Sequence, residues 1–173
     1  GEGVRRQPFQ SGGPVSAMMY FALRTRRIDG AILTGRDGIL PEPRLVTRPA
    51  AVFRQSLSKY TAAPTLEAMN RAVTAGYGAL GVVATPCQAM SLARMRMNPL
   101  AKPSFHDPTA LVVGLFCTWA LDFRQFESFL SQRMPLREIV KIDIPPPPAS
   151  VLEVYLKEGQ IAFPLDEIRP LRP

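Results

Sequence analysis

Leu80-Gly81-Val82-Val83-Ala84-Thr85-Pro86-Cys87-Gln88 is a short apolar run that ends in Thr-Pro-Cys-Gln and passes into Ala89-Met90-Ser91-Leu92-Ala93-Arg94-Met95-Arg96-Met97. The run has the length of a buried strand and its continuation reads as a helix, so the two form a strand that turns directly into a helix. In such a unit the carboxyl end of the strand opens into a crevice. The helix aims its unpaired N–H groups and the positive end of its dipole into the same space. Cys87 stands at that turn. A thiolate is stabilised there, which suits a metal ligand, a nucleophile or the neighbour of a redox cofactor. A cysteine there also serves as a small buried hydrophobe that closes the strand.

The second cysteine repeats the pattern. Leu111-Val112-Val113-Gly114-Leu115-Phe116-Cys117 is another apolar run, followed after Thr118 to Asp122 by the helix-like Phe123 to Leu130. Two strands that each deliver a cysteine from the carboxyl end bring both to one crevice when they are parallel neighbours.

Upstream, Ser11-Gly12-Gly13-Pro14-Val15-Ser16 opens a helix whose face is marked by Val15, Met18, Met19, Ala22 and Leu23. Two glycines, helix N–H donors and the hydroxyls of Ser11 and Ser16 suit a phosphate cradle. The same residues make an ordinary turn and cap. Ala31 to Thr34 reads as a short strand, Gly35 to Gly38 as a turn, and Leu45 to Arg48 as a second strand before a helix that starts at Pro49. Ser58-Lys59-Tyr60-Thr61 is then a polar loop suited to a phosphate, to a planar ring, or to a surface turn. Pro64 begins a helix with Leu66, Met69, Ala72 and Val73 at helical spacing, its methionines read as core. Pro99, Pro103 and Pro108 mark a loop that holds the one histidine, His106.

Downstream, Glu138 to Ile144 is extended and is halted by Pro145-Pro146-Pro147-Pro148, a stiff spacer. Val151 to Leu156 and Gln160 to Pro164 flank Lys157-Glu158-Gly159 as a hairpin. The order of elements implies an α/β fold, with a mainly parallel central sheet flanked by helices and a small antiparallel β-hairpin at the C-terminal end. Residues 10–144 are the α/β core and 145–173 the spacer and hairpin of one domain. The 173 residues, 46% hydrophobic, are enough for one core of this kind.

The formal net charge of +7 favours anionic partners such as phosphates and carboxylates. Arg5, Arg6, Arg24, Arg26, Arg27, Arg94 and Arg96 are dispersed rather than set among exposed aromatics, which argues against nucleic acid. Two cysteines without a leading apolar segment point to a cytoplasmic chain rather than a disulfide scaffold. The longest uncharged stretch, Ala110 to Leu121, is shorter than the ~18 apolar residues of a membrane span.

Ser11 to Ser16, Ile28-Asp29-Gly30-Ala31, Ser58-Lys59-Tyr60, Thr85 to Gln88, Gly114 to Cys117 and Lys141 to Pro148, in this order, resemble the coenzyme F-420 hydrogenase/dehydrogenase β-subunit family over almost the whole chain. The resemblance implies an oxidoreductase subunit that carries FAD and 4Fe-4S clusters. Such a subunit passes electrons between a deazaflavin, coenzyme F-420 or a similar carrier, and partner subunits of a hydrogenase or dehydrogenase complex. It places Ser11, Gly12, Gly13, Ser16, Ser58, Lys59, Tyr60, Thr85, Pro86 and Gln88 at the flavin, with Cys87 and Cys117 beside it or on a cluster. No catalytic residue is assigned by it. A 4Fe-4S cluster takes four cysteine thiolates as a rule, and this chain has two. Family members have further cysteines before the Ser-Gly-Gly loop and after a segment like Pro164 to Ile168. The expectation is therefore a fragment of a longer polypeptide, able to hold flavin but needing ligands from elsewhere to complete a cluster.

Three functions remain open on the sequence. The first is a flavin-binding electron-transfer domain. The second is the same fold acting without cofactor as a docking piece of a redox complex. The third is a thiol enzyme with Cys87 as nucleophile, for which a neighbouring base is wanted.

Overall fold

The computed structural model describes residues 13–98, 107–146, 148 and 150–172. Strand β3 (Leu80–Ala84) is central in a four-stranded sheet of order β2-β1-β3-β4. Strands β1 (Gly30–Asp37) and β4 (Thr109–Gly114) run parallel to it, and β2 (Leu40–Val46) runs antiparallel to β1. Alternate residues of a strand face opposite sides, and the sheet uses both. On one face Ala31 and Leu33 pack with Met19, Ala22 and Leu23 of α1 (Pro14–Arg24) and Val52 of a 3-10 helix, Pro49–Gln55. On the other, Ile32, Leu80, Val82 and Ala84 pack with Ala68, Met69 and Ala72 of α2 (Thr65–Thr74) and Leu92 of α3 (Pro86–Met97). Met19, Ile32, Met69 and Leu80 are buried completely or nearly so, each stabilising by roughly 1.5–3 kcal/mol. Gly81 lets α1 approach, because a Cβ there would lie 2.6 Å from Ile28 Cδ1 and 3.0 Å from Met19 Sδ.

The turn after β1 falls later than its sequence implies. β1 continues through Gly35 to Asp37, and the chain reverses at Gly38, whose φ is +56°. Gly35 serves close approach instead, since a Cβ there would meet Gln55 Oε1 at 2.0 Å. The partner strand is Leu40–Val46 rather than 45–48, and it contains Pro41 and Pro43. Proline reads as loop in sequence but is tolerated in an edge strand, and β2 is the edge. The segment after Pro49 is 3-10 rather than α-helical. Strand β4 also stops earlier than expected, at Gly114, and Leu115, Phe116 and Cys117 leave the sheet exposed.

Helix α4 (Phe123–Ser131) starts where Asp122 accepts a hydrogen bond from Gln125 N. It packs Phe126 and Leu130 against a second sheet, β5 (Ile139–Asp143), β6 (Val151–Leu156) and β7 (Gln160–Pro164), antiparallel in that order. The hairpin read from sequence is thus two strands of a three-stranded sheet. Strand β5, grouped by the sequence with the α/β core, pairs with β6, a contact that local sequence does not encode. Helix α5 (Leu165–Ile168) closes this sheet with buried Ile168. Leu121 N donates to the Tyr60 carbonyl at 2.7 Å, and Ile144 N donates to the Tyr60 hydroxyl at 2.7 Å, which ties the two sheets together. Among the described residues, no helix is long and apolar enough to cross a membrane.

Candidate functional site

Because β1, β3 and β4 are parallel, their carboxyl ends lie on one side of the sheet. Ala84 pairs with Gly114, and Leu115 N donates to Ala84 O at 2.9 Å. The start of α1 reaches the same side, where Ser16 Oγ lies 3.5 Å from Ser56 Oγ in the loop after the 3-10 helix. Gln88 Nε2 donates to Ala63 O at 2.8 Å and so joins the first turn of α3 to the segment leaving that loop. The expected residues Gly13, Ser16, Ser58 to Tyr60, Thr85 to Gln88 and both cysteines therefore gather at one end of one sheet. Ser11, Gly12 and His106 lie outside the described residues.

Gly13 is the cap residue of α1 with φ 75° and ψ 22°, a left-handed conformation that favours glycine. Thr85 caps α3: its backbone N–H donates to Gln88 Oε1 at 3.1 Å, and its Oγ1 lies 3.1 Å from Cys87 Sγ. Both ends of the Gln88 amide are thus engaged by the protein. Pro86 occupies the first turn of α3, where its missing N–H costs nothing.

Lys59 does more than its place in a polar loop implies. Its ammonium donates to the carbonyls of Gln55, Ser56 and Leu57 at 3.1, 2.9 and 2.8 Å. Three donors meet three acceptors, closing the 3-10 helix at the end where carbonyls lack partners. Burial, with the Arg36 charge second, pushes the Lys59 ammonium down to about 8. Leu57 takes φ +80°, a left-handed conformation in a non-glycine residue. The Tyr60 hydroxyl is 3.4 Å from Asp143 Oδ1 besides accepting from Ile144 N, which places this side chain at the junction of the two sheets.

Beside this loop is a cavity of about 170 Å³ whose lining includes Arg36, Arg54, Lys59, Ser56, Ser58 and Ile142. Among the described residues, no carboxylate lines it. Arg36, near the carboxyl end of β1, donates to the carbonyl of Val140. The sequence marks neither Arg36 nor Arg54. It sets Arg36 in a turn and Arg54 on a helix, and no motif distinguishes them from the other arginines.

Cys87 and Cys117 are free and exposed. Each lies three residues beyond the paired Ala84 and Gly114, so the parallel, neighbouring strands expected from the two apolar runs are present. Cys117 Sγ donates to Trp119 O at 3.4 Å. Among the described residues there is no group of three or more His, Cys, Asp or Glu side chains placed to hold a metal ion. Two thiolates do not fit a 4Fe-4S cluster on this chain alone. A flavin fits better. The cations of the cavity match a pyrophosphate, and Leu115 and the fully exposed Phe116 offer apolar surface at the same sheet end. Among the described residues, a Cβ at Gly114 would meet nothing within 4 Å.

Comparison with known proteins bears on this arrangement. Residues 4–70 match the N-terminal region, and residues 77–173 the C-terminal region, of the family described as coenzyme F420 hydrogenase/dehydrogenase, beta subunit. The chain is 28% identical over 163 residues to the coenzyme F420 hydrogenase subunit beta of Methanothermobacter thermautotrophicus, covering 91% of this chain and 57% of that subunit. It is 28% identical over 170 residues to the coenzyme F420-dependent sulfite reductase of Methanocaldococcus jannaschii, covering 91% of this chain and 27% of the reductase. A chain of the F420-reducing NiFe hydrogenase complex from Methanosarcina barkeri superposes with a TM-score of 0.83 at 22% identity, covering 95% of this chain and 58% of that one. At that identity the likeness is one of fold. The chain spans about half the length of the hydrogenase subunits it matches.

Proposed function

Because the chain belongs to the coenzyme F420 hydrogenase/dehydrogenase beta-subunit family, we propose that it is the FAD-binding electron-transfer part of such a subunit. The observation that carries this reading is the convergence of Gly13, the Ser56 to Tyr60 loop, the Thr85 to Gln88 turn and Leu115 to Cys117 at one carboxyl sheet end. FAD, when bound, supplies the exchange of hydride and single electrons. The chain's own residues bind and orient it. Gly13 permits close backbone approach, the start of α3 presents N–H groups toward an anion, and Gln88 holds the Thr85 turn against Ala63. Leu115 and Phe116 supply apolar surface for the flat ring.

Electrons would pass between coenzyme F-420, or a similar carrier, and iron–sulfur subunits of a cytoplasmic hydrogenase or dehydrogenase complex. Cys87 and Cys117 make up half of a cluster's usual ligand set, so no step is routed through a cluster on this chain. The exposed Leu115-Phe116-Cys117 segment also favours a second reading, in which the domain docks to a partner subunit without cofactor. An anaerobic visible spectrum of the purified chain, before and after addition of FAD and with flavin assayed in the heat-treated supernatant, separates the two. A bound-flavin spectrum is expected. Protein that stays colourless with FAD and still captures a redox partner subunit would establish docking instead.

A further inference from the structure

Helix α1 lacks a polar outer face. Its exposed residues are Pro14, Ala17, Met18, Phe21 and Arg24, and Met19, Ala22 and Leu23 are its buried ones. A surface helix ordinarily sets charged and polar side chains opposite the stripe that meets the core. Helices α2 and α4 do so, exposing Glu67, Asn70 and Arg71 on the first and Arg124, Gln125 and Ser128 on the second. On α1, Met18 is 45% and Phe21 59% exposed, and their three-residue spacing puts them on one side of the helix.

That side ends in positive charge. Arg24 follows Phe21 by three residues, and Arg26 and Arg27 are exposed just beyond it. The chain folds back over the last turn here. Arg26 N donates to Leu23 O at 3.1 Å and Arg27 N to Ala22 O at 2.9 Å, with Arg26 at φ +56°. The three cationic residues therefore stay close to the helix end that carries Phe21. None of them forms an ion pair among the described residues. Asp29, the acid next to them in sequence, turns its carboxylate to the N–H groups of Gly78 and Ala79 at 3.0 and 3.1 Å. A cation at a helix C-terminus offsets the helix dipole. That accounts for Arg24, but not for an apolar outer face that leads into three arginines.

Whatever covers this surface must be apolar over Met18 and Phe21 and anionic over the arginines. The cytoplasmic face of a bilayer is both, with acyl chains beneath anionic headgroups. Protein partners seat anchor side chains in pockets. Neither the cavity beside Lys59 nor a second one, of about 480 Å³ along α4, is lined by an α1 residue, whereas a fluid bilayer moulds itself to a plain helix face. The location is also separate from the sheet end described above. Arg27 lies three residues before Gly30, where β1 begins, so the cations stand at the amino end of the parallel strands. We propose that the outer face of α1, Met18 and Phe21 with Arg24, Arg26 and Arg27, docks the chain on an anionic lipid surface. The contact is peripheral: two apolar side chains enter the headgroup layer and three guanidinium groups meet lipid phosphates. It does not rest on the flavin reading.

The test is co-sedimentation of the 173-residue chain with vesicles of phosphatidylcholine alone and of phosphatidylcholine mixed with phosphatidylglycerol, at physiological ionic strength. Retention by the mixed vesicles alone is expected. The combined Arg24→Gln, Arg26→Gln and Arg27→Gln variant should bind them roughly a hundredfold more weakly, and Phe21→Gln about tenfold more weakly. A control that combines Arg71→Gln, Arg124→Gln and Arg137→Gln loses the same charge from other surfaces and should bind as wild type does, because distant charges are screened. A chain that stays in the supernatant with the mixed vesicles overturns the proposal. So does an equal loss in the two triple variants, which would reduce the effect to net charge, or a Phe21→Gln chain that binds as tightly as wild type. Phe21 is exposed, so Phe21→Gln decides the matter should the arginine variant fail to fold. A dimer in sedimentation velocity that Phe21→Gln dissociates, in a chain that ignores the vesicles, overturns the proposal in favour of a second copy on this face.

Discussion

Replacing Gln88 with alanine separates a structural tie from a cofactor contact. In the folded chain Gln88 Oε1 accepts from Thr85 N at 3.1 Å and Gln88 Nε2 donates to Ala63 O at 2.8 Å, both partly buried. The substitution removes two hydrogen bonds, each contributing about 0.5–1.5 kcal/mol net. Alanine's higher helix propensity returns only a few tenths of a kcal/mol. The net loss is therefore about 2 kcal/mol, which lowers the melting temperature of a chain this size by about 4–8 °C. Gln88→Glu keeps an acceptor for Thr85 N and gains from the helix dipole, but it turns a carboxylate oxygen toward the Ala63 carbonyl. Its loss should be smaller than that of Gln88→Ala. Urea and thermal unfolding measure both, with FAD uptake followed on the same samples. A Gln88→Ala protein within about 0.5 kcal/mol of wild type that nevertheless loses flavin would refute the reasoning and make Gln88 a direct contact.

Other perturbations test neighbouring parts. Lys59 titrates at about 8 in the fold against an ordinary 10.5, and it is faced by Arg36, Arg54, Tyr60 and, through the Tyr60 hydroxyl, Asp143. Between those pH values the unfolded chain holds a proton that the folded chain has released. Lys59 therefore adds stability as pH rises through the window, and this is lost again as pH falls through 8. Urea unfolding of wild type minus Lys59→Met should rise by about 3 kcal/mol from neutral pH to beyond 10.5, and a flat difference would contradict the burial of this ammonium. Gly81→Ala should cost about 1–3 kcal/mol by overpacking against Ile28 and Met19, visible as a lower urea midpoint. Both thiols should react with an aromatic disulfide reagent in the native chain, since both cysteines are exposed. Reaction of only one would show that the other is covered.

Much of this fold was legible because its signals are local. The apolar run to Ala84, the Thr85-Pro86 start of α3 and the alternating order of strands and helices depend on residues adjacent in the chain. The same holds for the two cysteine-bearing turns, whose common location follows once the strands are parallel neighbours. What escaped is non-local. Pro41 and Pro43 read as loop until the sheet makes β2 an edge, and β5 belongs to the second sheet only through its pairing with β6.

By itself, then, the sequence determined the α/β class, the family and the turns that frame the sheet end. Tertiary structure decided which side chains there are held by backbone partners and which line a cavity. Gln88 and Lys59 read as polar residues available to a cofactor, and folding surrounds each with backbone partners. Arg36 carries no local signal, and it enters the cavity because packing brings it against Val140, 104 positions away. The physical reason is that a backbone's local preferences act over a few residues, while hydrogen-bond partners and fields are set by whatever the packed core brings within a few ångströms.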